Sequence, residues 1–583
     1  MNLHWNDWDE SAFAKARQSG RPLFVLIVAH WCRFCAELEA RVLADPAVAR
    51  LLVEYFVCVR IDKDRRPDLD ARYSAGGWPT LVYFDDHGER IASDTFLDVA
   101  ALCARLELVR AHYAERRTAL RRRLVEPQMP PANALKADAR ARLGPEPIEW
   151  VARTLLESAD PVHGGWGGQH KFPHPEAIDF ALIRWSETGD EAMRKLVLRT
   201  LRCMQQGEIH DRVEGGFYRY ATARDWSGPH HEKTLDSNAT RAFAYLEAHQ
   251  ALGEESFAST ARGVLEWLQA RLFDADTRAF RGSQDADPAY AHLLTRAARL
   301  ERGPPACDPT IFAGSNALAI STLFKAGIVL RDERWTSLAC GALEFLLEEL
   351  FDERLGVHHY WDGSPRLSGL LADQAHVLRA LLDAAQYTGE CRWLKPARAL
   401  ADLAAEHLRG TNGAFYDSRR DAPARTGVER REQSIFENAL MAEALTRLAL
   451  LEHEERYEAL AIGALAVFAD DYKRHGHFVA GYARAVALFV HPPVHVTIVA
   501  PPGDELGISL RRAALEPYVA SRVVQTLDTG VDELLLTRMG LAEGWNSMRE
   551  SARAFVQRGR ESYAETSDPA RLPALMARIE RTE

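Results

Sequence analysis

Cys32-Arg33-Phe34-Cys35 is the segment of this chain whose residue types and spacing most directly specify chemistry. A short apolar run, Leu23 to Ala29, precedes it, and a helical stretch from Ala36 to about Leu43 follows. Cys32 therefore stands at a strand-to-helix junction. Unpaired backbone N–H groups and the helix dipole favour an anion there, and Arg33 adds a cation. Both effects lower the Cys32 pKa and raise its thiolate fraction. Cys35, one helical turn on, is spaced to resolve a mixed disulfide. Two other readings use the same spacing: a zinc site, which needs a second CxxC or CxxH that is not nearby, and a pair of inert buried thiols.

A second concentration of reactive side chains runs from Asp211 to Asn238. Tyrosines, tryptophan, histidines, acids and lysine in one loop are the mixture a sugar site uses: aromatic faces stack on pyranose C–H groups while His or carboxylate groups move protons. His230, Glu232 and Asp287 are the candidate acid/base groups. Trp166, His170, Lys171, Phe217, Arg219, Tyr220, Trp226, Lys233, Asp236, Asn238 and Asp285 are the candidate ligand-binding groups. The bland reading is a polar rim that only caps helices.

The elements that must position these groups follow from periodicity. In residues 1–125, the buried-strand patterns Leu23–Ala29, Phe56–Asp62 and Leu81–Phe84 alternate with helical stretches, which argues for an α/β domain. Proline- and glycine-rich breaks over 126–147 read as a linker. From 148 to 490 long amphipathic helices come in pairs, at about 147–159, 175–187, 190–206, 236–252, 255–272, 315–329, 333–351, 368–388, 392–408, 434–451, 453–473 and 480–490. Glycine–aromatic turns recur between them: Gly164-Gly165-Trp166, Gly215-Gly216-Phe217, Ala279-Phe280, Gly356-Val357, Gly413-Ala414-Phe415 and, more weakly, Gly476-His477-Phe478. Six hairpins with markers in register predict an all-α (α/α)6 toroid with these loops around one mouth. An open helical solenoid is the alternative. Residues 491–583, with the strand pattern Val494–Ala500, read as a small C-terminal α/β appendage.

Bulk properties narrow the setting. The chain of 583 residues exceeds what one core serves. A formal net charge of −11 gives no general attraction to nucleic acid. No uninterrupted apolar run is long enough for a membrane span, and the N-terminus shows no signal-peptide pattern. The eight cysteines are too sparse and scattered for a disulfide framework, so a reducing cytoplasm is expected. No metal and no cofactor are expected.

Trp78-Pro79-Thr80 before a strand, together with the CxxC, resembles thioredoxin, where a cis-proline packs against the active-site cysteines. That resemblance makes Pro79 a candidate substrate-facing residue and predicts a cis Trp78–Pro79 bond in contact with Cys32. Thioredoxin carries a buried acid six residues before its first cysteine, and Leu26 stands there instead. Over nearly its full length the chain resembles the YyaL-type proteins, the spermatogenesis-associated thioredoxin-domain family. The matching residues are Cys32 and Cys35, Val59 to Asp70, Gly77-Trp78-Pro79, Lys171-Phe172-Pro173, Gly215-Gly216-Phe217 with Arg219-Tyr220, Pro229 with Glu232-Lys233, Asp236 with Asn238-Ala239, Asp285-Ala286-Asp287, and Ser315-Asn316. Departures are Cys-Arg-Phe-Cys for the usual Cys-His-Trp-Cys, Pro229-His230-His231-Glu232 for Pro-His-Phe-Glu, a shorter segment after Asp287, and no C-terminal cysteine pair. The resemblance implies a thioredoxin-like domain fused to a toroid similar to six-hairpin glycosidases and N-acylglucosamine epimerases. The function it implies is a carbohydrate-active enzyme, a glycoside hydrolase or a sugar epimerase, acting on a sugar-like small molecule. The alternative is a redox protein that exchanges thiols with a partner protein and uses the toroid as a binding platform.

Overall fold

Leu23–Val28 is six consecutive buried apolar residues, as a strand flanked on both faces requires. The structure, a computed structural model, describes residues 3–120, 139–419, 431–528, 533–539 and 551–580. The chain divides into two units, Met1–Ala132 with Arg420–Glu432, and Asn133–Arg419 with Gln433–Glu583. The part of the expected linker up to residue 138 lies outside the described residues.

In the first unit the order is α1 (Glu10–Ser19), β1 (Leu23–Val28), α2 (Arg33–Glu37), α3 (Pro46–Tyr55), β2 (Val57–Asp62), α4 (Pro67–Tyr73), β3 (Thr80–Phe84), β4 (Arg90–Asp94) and α5 (Val99–Leu120). The sheet order is β2-β1-β3-β4. β2 runs parallel to β1, β3 antiparallel to β1, and β4 antiparallel to β3. Phe24, Leu26 and Val28 pack on one face with α2, α3 and α5. Leu23, Val25 and Ile27 pack on the other with α1 and α4. This is the thioredoxin-like α/β domain.

The second unit opens with α6 (Glu146–Ser158), α7 (Pro175–Thr188), α8 (Glu191–Gln206), α9 (Leu235–Leu252), α10 (Glu255–Trp267) and the short α11 (Pro288–Ala291) and α12 (Arg296–Arg302). It continues with α13 (Ala313–Val329), α14 (Glu333–Phe345), α15 (Leu371–Thr388), α16 (Leu394–His407), α17 (Ile435–Leu451), α18 (Glu455–Ala466) and α19 (Ala480–Val490). Helices α7, α9, α13, α15, α17 and α19 each touch the next, and α19 touches α7, so the inner ring closes. Outside them stand α8, α10, α14, α16, α18 and α6. The sixth hairpin joins the first helix to the last, α6 against α19, which makes closure part of the core. The result is an (α/α)6 toroid rather than a solenoid.

Each glycine–aromatic loop leads into the N-terminus of an inner helix, and a buried amide explains the recurrence. In the first turn of α9, Asn238 accepts the Phe217 N–H at 2.6 Å and donates to the Phe217 carbonyl at 3.0 Å. Asn316 holds Phe280 in the same way, Gln374 holds Val357, and Asn438 holds Phe415. All four amides also donate to the carbonyl four residues earlier. Gly215, at φ +89°, allows its loop to approach: a Cβ there would lie 2.2 Å from the Gly263 oxygen.

The C-terminal region comprises β5 (Val494–Ala500), α20 (Glu505–Leu515), β6 (Arg522–Asp528), α21 (Glu533–Arg538), β7 (Arg553–Arg558), β8 (Glu561–Thr566) and α22 (Leu572–Glu580). It is not a separate body: β6 packs on α15 and α17, and Gln386 accepts the Val524 N–H at 3.0 Å. Gln250 donates to the Leu515 and Glu516 carbonyls. The sheet thus lies across the C-terminal ends of the inner helices. Among the described residues, no helix is long and apolar enough to cross a membrane.

Candidate functional site

Cys32 is the N-cap of α2, and its sulfur accepts the Cys35 N–H at 3.4 Å. Its thiol donates to the Trp78 carbonyl at 3.6 Å, and the Trp78–Pro79 peptide is cis. Cys32 is 8% exposed and Cys35 3%, so the first thiol is the more accessible. Both are free thiols. The hydrogen bond with Cys32, followed by burial, pushes the Cys35 thiol far up. Behind Cys32 the Trp31 and Trp78 rings meet edge to face at 5.7 Å. Their indole N–H groups donate to Asp64 at 2.8 Å and Asp70 at 2.7 Å, and the Lys63 ammonium lies over both rings. Burial pushes the Asp70 carboxyl up despite the Trp78 hydrogen bond. Phe34 and Phe96 stand exposed beside the motif, their rings 6.5 Å apart. Arg33 lies over the Phe34 ring at 5.8 Å.

In the second unit the sequence-predicted residues separate into two groups. The first is built into the loops. Trp166, Phe217 and Trp226 are fully buried, with the indoles donating to the Leu155 and His163 carbonyls, so none offers a free face for stacking. Lys171 is buried against Asp160 at 2.9 Å and the Gly164 carbonyl at 2.7 Å. Lys233 is buried against Asp211 at 2.7 Å, and Arg299 reaches the same carboxylate at 2.6 Å. Asn238 is spent on its loop clamp. Asp287 caps α11 through the Tyr290 N–H and pairs with Arg302 at 2.8 Å. Burial pushes its carboxyl up, but Arg302 and the backbone donors outweigh this and hold it below the usual range. That makes it a poor proton donor near neutrality. Asp285 is half-buried, its N–H donating to the Ala306 carbonyl, and Asp236 is exposed in the first turn of α9.

The second group does converge. Tyr220 stacks on His230 at 4.4 Å, with its hydroxyl 2.9 Å from His230 Nε2. Phe172, which the sequence reading left out of the site, also stacks on Tyr220, at 4.7 Å, and His170 lies 6.1 Å from the same ring. Arg219 covers the same ring and donates to Glu232 at 2.6 Å. Glu232 is 5% exposed, and His230 Nδ1 lies 3.8 Å from it. The Glu232 carboxylate is therefore tied to a guanidinium rather than open to a ligand.

A cavity inside the ring lies elsewhere. Between the N-terminal halves of the inner helices a space of about 370 Å³ opens among Asp179, Phe243, His376, Arg379, Glu443 and Arg484. None of the candidate residues above lines it. Arg484 bridges Asp179 and Glu443, and Arg379 lies over Phe243 at 5.3 Å. His376 Nδ1 is buried with no hydrogen-bond partner. Burial, then Arg379, pushes its pKa down to about 4, so the imidazole is neutral near pH 7. Sequence reasoning missed these side chains because they sit mid-helix, on stripes that read as ordinary helix faces. Among the described residues, no group of three or more His, Cys, Asp and Glu side chains is placed to hold a metal.

Residues 1–125 match the family model Thioredox_DsbH, described as a protein of unknown function, DUF255. The whole chain is similar to Spermatogenesis-associated protein 20 of Homo sapiens, 23% identical over 98% of this chain and 90% of that protein. Over 17% of each chain the protein is also similar to Thiol:disulfide interchange protein DsbD 1 of Pseudomonas aeruginosa, with 33% identity. The toroid shares its fold with the crystal structure of D-mannose isomerase: TM-score 0.50, 13% identity, 62% of this chain and 99% of that one.

Proposed function

We propose that the protein is a thiol–disulfide oxidoreductase whose toroid holds a carbohydrate-like ligand. The observation that carries the redox reading is the Cys32 sulfur at the cap of α2, accepting the Cys35 N–H while its thiol donates to the Trp78 carbonyl. The Cys32 thiolate attacks one sulfur of a partner disulfide and expels the other as thiolate. The expelled thiolate takes the Cys35 proton, because Leu26 leaves no acid at the position where thioredoxin has one. Cys35 then attacks the Cys32 sulfur, closing the Cys32–Cys35 disulfide and releasing the reduced partner. With oxidised glutathione as probe, Cys35→Ser should accumulate a mixed disulfide on Cys32 and Cys32→Ser should form none. Absence of an adduct on Cys35→Ser would sink the reading.

The unpartnered His376 Nδ1 in the cavity wall favours a second reading, a carbohydrate-active toroid. The volume suits a small ligand. Phe243, Phe436 and Phe478 supply apolar faces beside carboxylates and guanidinium groups. A neutral imidazole there accepts a proton, as either sugar hydrolysis or epimerisation needs, and it replaces Glu232 and Asp287 as the preferred acid/base candidate. A panel of neutral mono- and disaccharides should include one that raises the melting temperature of the wild type but not of His376→Ala. No response to any sugar would refute this reading.

A further inference from the structure

The C-terminal sheet repeats the architecture of the first unit strand for strand. Its order is β6-β5-β7-β8, with β6 parallel to β5, β7 antiparallel to β5 and β8 antiparallel to β7, the pattern of β2-β1-β3-β4. The registers agree residue by residue. Val28 pairs with Asp62 and Ala500 with Asp528; Ile27 pairs with Thr80 and Val499 with Arg553. The third and fourth strands carry a register shift at the same step, between Tyr83 and Phe84 and between Val556 and Gln557.

The helices fall on matching faces. Val496, Ile498 and Ala500 pack with α20 and α22, as Phe24, Leu26 and Val28 pack with α2 and α5. Val499 and Leu527 pack with α21, as Ile27 and Ile61 pack with α4. Of the remaining helices of the first unit, α3 has no counterpart among the described residues, and α19, which stands at the chain position of α1, packs in the ring instead. The face that α1 covers also changes character. At the positions of Leu23, Val25, Val59 and Phe84 stand buried His495, Thr497, Gln525 and Gln557.

The register then identifies what occupies the active-site positions. Counting from the paired ends Val28 and Ala500, Asp504 falls at the place of Cys32. It is likewise the N-cap of its helix, and its carboxylate accepts the Gly507 N–H at 2.7 Å, as the Cys32 sulfur accepts the Cys35 N–H. Gly507 falls at the place of Cys35, and Ala552 at that of Pro79. A Cβ on Gly507 would lie 3.8 Å from the Ala552 Cβ, so the two stand side by side as their counterparts require.

We propose that residues 494–580 are a second thioredoxin-type module that has lost its thiol site, with Asp504 and Gly507 in place of the two cysteines, and serves as the floor of the ring. No cysteine lies in residues 494–580, so the module contributes structure to this chain and no thiol chemistry. The test restores the lost site. In a Cys32→Ser/Cys35→Ser background, Asp504→Cys and Gly507→Cys are introduced together with Ala500→Gly, because a Cβ at 507 would stand 2.7 Å from that of Ala500. After mild oxidation both new thiols should resist alkylation until dithiothreitol is added. A folded variant whose two thiols both stay alkylable after oxidation overturns the proposal. If the triple change does not fold, Asp504→Cys alone decides. A thiol in the Cys32 position of a thioredoxin-type helix should be alkylated with a midpoint below the free-cysteine pKa of about 8.5; an unshifted midpoint overturns the proposal.

Discussion

Replacing Asn238 by leucine, which is similar in shape but cannot hydrogen-bond, separates a ligand-binding role from the loop-clamp role. The substitution removes three buried hydrogen bonds, one from the Phe217 N–H and two to the Phe217 and Thr234 carbonyls. Each nets about 1 kcal/mol, and stranding a buried N–H adds about 1–3 kcal/mol. The expected loss is about 4–6 kcal/mol. Unfolding entropy runs at about 2 cal/mol/K per residue. If the second unit, roughly 440 residues, unfolds as one body, its calorimetric midpoint should fall by about 1 °C per kcal/mol, hence about 4–6 °C. Asn438→Leu removes the equivalent bonds to Phe415 in another repeat and should cost about the same. If Asn238→Leu leaves the midpoint within about 1 °C while Asn438→Leu lowers it, the clamp reasoning fails and Asn238 returns to the ligand-binding set.

Limiting iodoacetamide near neutral pH should label Cys32 before Cys35, because Cys35 is more buried and its thiol is pushed far up; equal labelling in a peptide-mass assay counts against this. Glu232→Gln should lower the melting temperature, since it removes the negative charge 2.6 Å from Arg219 in a site where Glu232 is 5% exposed. Breaking a buried pair costs about 3–5 kcal/mol, less here because Arg219 is partly exposed. A variant that melts normally yet loses sugar binding would restore Glu232 as a ligand contact. His495, buried in β5, has its pKa pushed down to about 4, first by burial and then by His453. Its neutral form is favoured in the folded state. The stability this confers is complete above the unfolded value of about 6.5 and is lost as pH falls from there through 4, on the order of 3 kcal/mol. Urea midpoints should drop over that window more steeply for the wild type than for His495→Gln; equal slopes would show that His495 is not the titrating group.

The sequence by itself determined the elements and their kind. Local periodicity placed helices at 175–187 and 480–490 that the structure bounds at Pro175–Thr188 and Ala480–Val490. The CxxC and Trp78-Pro79 identified the first unit, because there the chemistry sits in contiguous motifs at a strand-to-helix junction. The short helices α11 and α12 escaped, being too brief to show a period. What only tertiary structure decided is which polar residues face the cavity. The glycine–aromatic loops drew attention to Trp166, Lys171, Lys233 and Asn238, and closure of the ring turned these inward as loop supports. Arg484 and Asp179, about 300 positions apart, meet only because α19 packs against α7. His376 faces a cavity that exists only once six helices share an axis. The correspondence of Asp504 with Cys32 was equally hidden, because strand register fixes a position in space while leaving the side chain free to change.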